Sequence, residues 1–477
     1  MPEPSLGVIV GNRDFFPKEL VSAGRREILA VLKGMNIQAV VLNEKESNLG
    51  GVETYADGKR CADLFRANRD HIIGVLVTLP NFGDEKAIAD TLRLAQLDVP
   101  VLVHAYPDDL EKMNVERRRD AFCGKVSVCN NLNQYGIPFS LTERHVVSPQ
   151  DESFKNDVCK FVSVCRVVKG IRKARLGSIG ARPGAFNTVR FSEKLLEATG
   201  ISVSTIDLSD IFARASRLYD GDPRVRQRIE EIQAYAASGN TPPSSLLLMA
   251  KLAVIVSEWI SSNELDATAF QCWSSIQQNY GINACTMMSM MSEGMIPSAC
   301  EVDTAGELTM YAMQLASGSP SALVDWNNNY GKDPNKCVLF HCGNWAKSFL
   351  PQARIGTAAI LGTVVGVENT YGALEGRTSG GPLTYGRITT DDAAGRIRAY
   401  VGEGTYTDDE LNTFGARAVV EVPNLQKLMR HICRNGFEHH AVMNKSQTAD
   451  VLAEAFENYL KWDVYYHERP GELTRAD

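Results

Sequence analysis

Short apolar runs that alternate with amphipathic stretches constrain this chain more than any other feature. The runs occupy residues 7–10, 37–42, 72–79 and 99–104, and between them residues 18–35, 58–69 and 84–97 carry helical spacing. A run too short for a helix, followed by an amphipathic helix, reads as a strand with its crossover; repeated, it predicts a parallel sheet covered by helices, a flavodoxin-like layer. Sheets of this kind present ligand-binding loops at the C-terminal ends of their strands. The turn Pro80-Asn81-Phe82-Gly83, placed between a predicted strand and a predicted helix, is such a loop.

The same rhythm restarts near Ala174. Residues 176–179 and 201–206 read as strands, 191–198 and 223–237 as helices, 246–261 as a long apolar helix, 267–272 as a strand and 284–293 as a helix. Beyond about Phe349 the segments become shorter and rich in Gly, Thr and Val, at 358–367, 383–389, 397–403 and 417–422, which predicts a β-rich, barrel-like part closed by a helix at 448–460. The expected fold is therefore α/β: two αβα (flavodoxin-like or Rossmann-like) domains, 1–168 and 169–349, followed by a smaller β-rich barrel-like C-terminal domain, 350–477.

Composition narrows the partners. A formal net charge of −7 with scattered Lys and Arg offers no field for a phosphate backbone, so nucleic acid is not expected. The N-terminus lacks the basic start and cleavage site of a signal peptide, and the longest apolar runs fall short of the ~18 residues of a membrane span. A cytoplasmic protein without a membrane partner is expected. Eleven cysteines, none in a C-x-x-C spacing, read as reduced core residues rather than a disulfide framework or zinc ribbon.

The common nucleotide and hydrolase signatures are missing. Gly177-Ser178-Ile179-Gly180-Ala181-Arg182 lacks the order of a dinucleotide fingerprint and reads as a structural turn. The informative cluster lies between Gln271 and Asn344. Glu301 follows the turn Gly294-Met295-Ile296-Pro297, Asp325 ends the run Ala322-Leu323-Val324, and His341 ends Val338-Leu339-Phe340 before Cys342-Gly343-Asn344. Carboxylates and imidazoles at the ends of apolar strands are where an α/β scaffold places working groups. Downstream, His439 and His440 are adjacent, and in a strand they face opposite sides. Two carboxylates with one or two imidazoles suit an octahedral Mn²⁺-like ion better than a thiolate-preferring zinc site.

These segments, Gln271-Cys272-Trp273, Cys300-Glu301-Val302-Asp303, Val324-Asp325-Trp326, His341-Cys342 and His439-His440, resemble those of the L-fucose isomerase-like and L-arabinose isomerase group of ketol isomerases. Asn81-Phe82-Gly83-Asp84-Glu85, Asp120 to Lys125 and Gly180-Ala181-Arg182-Pro183 extend the resemblance over most of the chain. It implies that Glu301 and Asp325, 24 positions apart as in that family, bind the metal and shuttle the proton. It further implies a histidine ligand from His439 or His440, with His440 preferred, and His341 as either a third imidazole ligand or a substrate contact. Trp273, Trp326, Asn81, Lys125 and Asn344 are the implied substrate-binding residues. The implied cofactor is Mn²⁺, with Co²⁺ or Mg²⁺ as alternatives. The implied assembly is a homo-oligomer, a hexamer or related form, with sites at subunit boundaries that Asn81 and Lys125 of a neighbour approach.

The expected reaction is metal-dependent interconversion of an open-chain aldose and its ketose through an enediolate. The sugar is left open among hexoses, deoxyhexoses, pentoses and hexoses modified at the last carbon, including sulfonated ones. The alternatives are a metal-dependent epimerase or lyase using the same enediolate, and a non-catalytic sugar-binding protein.

Overall fold

The computed structural model describes residues 3–470, which divide into two compact units. The first takes the chain up to Lys169 together with Glu454–Lys461; the second takes Gly170–Ala453 and the chain from Trp462 onward.

In the first unit five strands, β1 (Ser5–Val10), β2 (Gln38–Val41), β3 (Ile72–Leu79), β4 (Val101–Ala105) and β5 (Ser140–Leu141), form a parallel sheet in the order β2-β1-β3-β4-β5. Successive strand residues point to opposite faces, and both faces are apolar. Ile9, Val75, Val77, Val101 and Val103 enter one core, while Leu6, Val8, Val10, Leu76 and Leu102 enter the other. Helices therefore cover both sides, as the alternation predicts. Two are fixed at their starts by side-chain caps. Thr54 and Asp57 form a capping box on Tyr55–Ala67, and Asp84 accepts the Ala87 N–H at the head of Glu85–Ala95. The strand order reverses between β1 and β3, and the loops that follow these two strands meet there: Asn81 Nδ2 donates to Asn12 Oδ1 at 2.7 Å.

The second unit holds two sheets. β6 (Arg175–Ile179), β7 (Ser202–Ile206), β8 (Ala267–Phe270) and β9 (Ser298–Cys300) form a parallel sheet in the order β7-β6-β8-β9. The larger sheet is mixed and contains β10 (Ser321–Asn329), β11 (Lys336–His341), β12 (Arg354–Thr357), β13 (Tyr371–Arg377), β14 (Gly381–Asp391), β15 (Arg396–Thr407), β16 (Ala416–Glu421), β17 (His440–Asn444) and β18 (Asp463–Tyr466). Its order is β12-β13-β16-β11-β10-β17-β14-β15-β18, and β15 also pairs with β16. The path β16-β11-β10-β17-β14-β15 thus closes on itself. β10 and β11, from the stretch expected in a central αβα layer, belong to this mixed sheet.

Sequence reading and structure differ at 358–367, expected as a β segment. Ala359–Val365 is a helix with only Leu361 and Gly362 buried. A short apolar run does not by its periodicity distinguish strand from helix. The helix Pro243–Ser262 is, among the described residues, the one long and apolar enough to cross a membrane; 67% of its apolar window is packed inside the structure, as in a core helix.

The helix Thr304–Ser317 connects the two sheets of the second unit. It packs against β6, β8 and β9 on one side and against β10, β14 and β17 on the other, and is buried along most of its length. Its first turn is therefore held where the ends of both sheets meet, and that is where the candidate residues gather.

The loop after β3 gives a direct test of the first unit's packing. A Cβ on Gly124 would lie 2.1 Å from the Phe82 carbonyl oxygen, whereas one on Gly34 would meet nothing within 4 Å. Gly124→Ala is expected to cost about 1–3 kcal/mol and Gly34→Ala less than about 1 kcal/mol, read as shifts of the chemical-denaturation midpoint.

Candidate metal and active site

β9 ends at Cys300, and the next two residues turn sharply, with φ of 56° at Glu301 and 54° at Val302. Left-handed backbone is unfavourable for residues with a Cβ and most unfavourable for a β-branched one. The turn directs Glu301 into the second unit's interior and leaves Asp303 to cap the helix Thr304–Ser317, where its carboxylate accepts the Gly306 N–H at 2.9 Å. Asp325 lies in β10 directly opposite His440 of β17 and next to Phe340 of β11. The antiparallel register therefore brings together residues more than a hundred positions apart.

The side chains converge. His440 Nε2 is 3.2 Å from Glu301 Oε2 and 3.6 Å from Asp325 Oδ1, His341 Nε2 is 3.6 Å from Glu301 Oε2, and His439 Nε2 is 3.6 Å from Asp325 Oδ1. Glu301 Oε2 and Asp325 Oδ1 are buried without a hydrogen-bond partner. Unpaired buried carboxylate oxygens are costly. Two donors about 2.1 Å from one ion and at right angles to each other stand about 3 Å apart. The side chains form two groups that share His440, one with Glu301 and His341 and one with Asp325 and His439, each with its ligand atoms within 4.8 Å of one another, so each group has donors of the type a divalent ion takes.

The two buried imidazoles are presented differently. His440 Nδ1 donates to Asp303 Oδ2 at 2.8 Å, which in the neutral ring fixes the tautomer and leaves the Nε2 lone pair facing Glu301 and Asp325, the arrangement found around metal-bound histidines. His341 Nδ1 instead accepts the Cys342 N–H at 3.0 Å. In the neutral ring this leaves the proton on Nε2, facing Glu301, and suits His341 to donate a hydrogen bond rather than to ligate. His439 is about half exposed, and burial together with the charge of His440 lowers its pKa.

Asp303 is itself anchored. Its carboxylate pairs with the fully buried Arg387 guanidinium, whose Nε donates to Glu438 Oε2 at 3.2 Å, and Glu438 Oε1 accepts the Thr389 hydroxyl at 2.6 Å. Burial pushes the Asp303 acid up, but Arg387 outweighs it and holds the group well below the usual carboxylate range. For Glu301 burial likewise acts upward, and His341 and His440 bring it net below its ordinary value. The Asp303, Arg387 and Glu438 contacts were not predicted, although Asp303 and Glu438 each stand within two residues of a predicted ligand.

Glu301, Asp325, His341, His439 and His440 line a cleft of about 260 Å³, together with Trp273, Phe186, Asn283, Asn327, Phe340 and residues 357–361. Trp273 meets Phe186 edge to face at 5.6 Å and supplies the expected apolar wall. Two expected substrate contacts point elsewhere. Trp326 is absent from the cleft lining: as Asp325's neighbour in β10 it faces the other way, donating Nε1–H to Tyr400 Oη at 3.0 Å. Asn344 is buried with Nδ2 donating to Ser298 O at 3.2 Å, which braces β9 from behind. Asn81 and Lys125 belong to the first unit. There Asn81 Oδ1 accepts the Gly83 N–H, and Lys125 Nζ donates to Thr142 Oγ1 at 2.7 Å and to His145 O at 2.9 Å.

Two outcomes follow. In the metal-free protein burial lowers the His440 pKa, but the Asp303 carboxylate to which it donates and the Glu301 carboxylate beside it prevail and raise it from 6.5 to about 9. A raised pKa stabilises the folded state fully below the unfolded value and loses that contribution as pH climbs through the folded one. The melting midpoint without added metal is expected to fall between pH 6.5 and 9, with the fall reduced in His440→Gln and in protein saturated with Mn²⁺. Arg387→Met removes the guanidinium that pairs with two buried carboxylates and should destabilise the fold by about 3–5 kcal/mol, read in urea titrations.

Comparison with known proteins agrees with this geometry. Residues 7–172 match the family described as fucose/sulfoquinovose isomerase, N-terminal domain, and residues 339–468 match L-fucose isomerase, C-terminal domain. Sulfoquinovose isomerases of Priestia aryabhattai and Priestia megaterium (strain ATCC 12872 / QMB1551) are each 24% identical over 448 residues, 93% of this chain and 95% of theirs. A sulfoquinovose isomerase of Alkalicoccus urumqiensis is 24% identical over 306 residues, 64% of this chain and 68% of its own. The chain belongs to the fucose/sulfoquinovose isomerase family and is an aldose-ketose isomerase.

Proposed function

We propose that the chain interconverts an open-chain sulfonated hexose of the sulfoquinovose type and its ketose, with a divalent ion, Mn²⁺ foremost and Co²⁺ or Mg²⁺ as alternatives, held by Glu301, Asp325 and His440. The metal assignment rests on the two buried, partnerless carboxylate oxygens facing the His440 lone pair. The substrate assignment rests on the sulfoquinovose isomerases that align over 93% of the chain.

When bound, the ion supplies Lewis-acid stabilisation of the oxygens that gain negative charge as the enediolate forms. Glu301, kept ionised by its two imidazole neighbours, removes the proton on the carbon next to the carbonyl. Asp325, at the cleft side of the same cluster, returns a proton at the adjacent carbon. His341 Nε2–H donates toward the substrate oxygens or Glu301, and half-exposed His439 faces the sugar. Trp273 and Phe186 exclude water from one side of the reacting carbons.

The cleft lining of the second unit includes no Lys or Arg among the described residues. A sulfonate's counter-charge has to come from outside that lining, which supports an oligomer whose neighbouring copies complete the site, and a cytoplasmic setting suits a metabolic isomerase of this kind.

NMR in deuterated water, with a 6-sulfonated aldohexose and Mn²⁺, is expected to show the ketose and deuterium at C2 of the recovered aldose. An epimer or a cleaved product as the sole outcome would contradict the proposal. Glu301→Gln and Asp325→Asn should each lower kcat by about 10³-fold while preserving the melting midpoint of the metal-free protein to within a few degrees. Normal turnover in either variant would remove the assignment. Chelation should abolish activity and added Mn²⁺ restore it.

A further inference from the structure

The reaction at the carboxylates leaves one rim of the cleft without a task. The loop of residues 180–190 leaves the C-terminal end of β6, the edge at which a parallel sheet presents its ligand-binding loops. Both of its ends are fixed. At the start the Ala181 N–H donates to Gln271 Oε1 at 2.8 Å, just past β8, and near the end Val189 is fully buried. Its tip, Gly184 and Ala185, is exposed. Phe186 then turns back onto the cleft, its ring centroid 5.6 Å from that of Trp273 and 6.4 Å from that of His440.

Arg182 is tied to the same turn. Its Nη1 donates to Pro183 O and to Asn187 Oδ1, each at 3.2 Å, and the Phe186 N–H donates to that same Pro183 oxygen at 3.0 Å. The guanidinium therefore sits beside the backbone of a residue that walls the cleft. Arg190 joins it from the other side, with Nε donating to Asn187 O at 2.9 Å. Neither arginine has a carboxylate partner among the described residues, in contrast to Arg387 between its two acids. Held by neutral acceptors through Nη1 alone, Arg182 keeps Nε–H and Nη2–H, a fork that matches two oxygens of an oxyanion.

A sulfonate is the anion of a strong acid and stays charged at any physiological pH, whereas the hydroxyl it replaces on a hexose is neutral. With carbon-carbon bonds of about 1.5 Å, C6 of an extended open-chain hexose lies about 5 Å from C2, and the sulfonate oxygens about 2–3 Å beyond it. That reach is comparable to the 6.4 Å between the His440 and Phe186 rings. A sugar whose first two carbons lie at the carboxylates thus brings its last carbon to this loop. Resting on the sulfonated-hexose reading above, we propose that Arg182 recognises the sulfonate, donating from Nε and Nη2 to two of its oxygens, with Arg190 adding to the positive field at the rim. The third oxygen is left for donors of a neighbouring copy. Arg182 thereby sets the preference for a sulfonated over an uncharged hexose without touching the reacting carbons.

The test compares kcat/KM for a 6-sulfonated aldohexose with that for the same aldohexose bearing a hydroxyl at C6, in Mn²⁺-loaded full-length wild type and Arg182→Met. The ratio of the two values is expected to fall about 10–100-fold in the variant, through the KM of the sulfonated sugar rather than its kcat. Arg182→Lys keeps the charge without the fork and should recover part of the ratio; if Arg182→Met does not fold, a ratio below wild type in Arg182→Lys supports the proposal and an equal one overturns it. An unchanged ratio in folded Arg182→Met, with both sugars losing alike, would show an arginine that only shapes the loop; it would overturn the proposal and leave the sulfonated-hexose reading standing. Wild-type protein that fails to turn over the sulfonated sugar would overturn both.

Discussion

The hydrogen bond from His440 Nδ1 to Asp303 Oδ2 is the contact on which the site depends. It decides which imidazole nitrogen carries the lone pair, and hence whether the two orphan carboxylate oxygens face a ligand or a proton. Asp303 does this while capping the helix Thr304–Ser317 and closing an ion pair with buried Arg387. One carboxylate therefore ties the helix that bridges both sheets to the orientation of a candidate ligand. Charges placed this deeply need compensation, and here each acid has a cation or an imidazole beside it.

Backbone strain serves the same end. Two successive left-handed residues, Glu301 and Val302, cost about 1–3 kcal/mol each and persist only where the surroundings enforce them. β9 before the turn and the capped helix after it supply that enforcement. The result is a carboxylate aimed at His440 rather than along the strand.

Much of this was legible in the residues. Alternation of apolar runs and amphipathic stretches anticipated the parallel sheet of the first unit, because that pattern is local. Glu301 and His341 were recognisable as groups at strand ends; Asp325, expected at one too, lies in the middle of β10, and His439 and His440, expected on opposite faces, both line the cleft because His439 precedes β17 instead of lying in it. Sheet partners were not recognisable, because the pairing of β10 with β17 joins distant segments through a register that no local pattern encodes. Arg387 sits in a strand like any surface arginine, and only its complete burial between two acids reveals its task. Trp326 could have been excluded earlier, since strand alternation sends it away from Asp325's face.

The central claim, that one imidazole with two carboxylates binds the catalytic ion, is tested most directly by electron-nuclear double resonance on Mn²⁺-loaded protein carrying ¹⁵N-labelled histidine. A single histidine nitrogen coupled to manganese, absent in His440→Gln and present in His341→Gln, is the expected result. Coupling to no histidine, or coupling that survives loss of His440 and disappears with His341, would contradict the account.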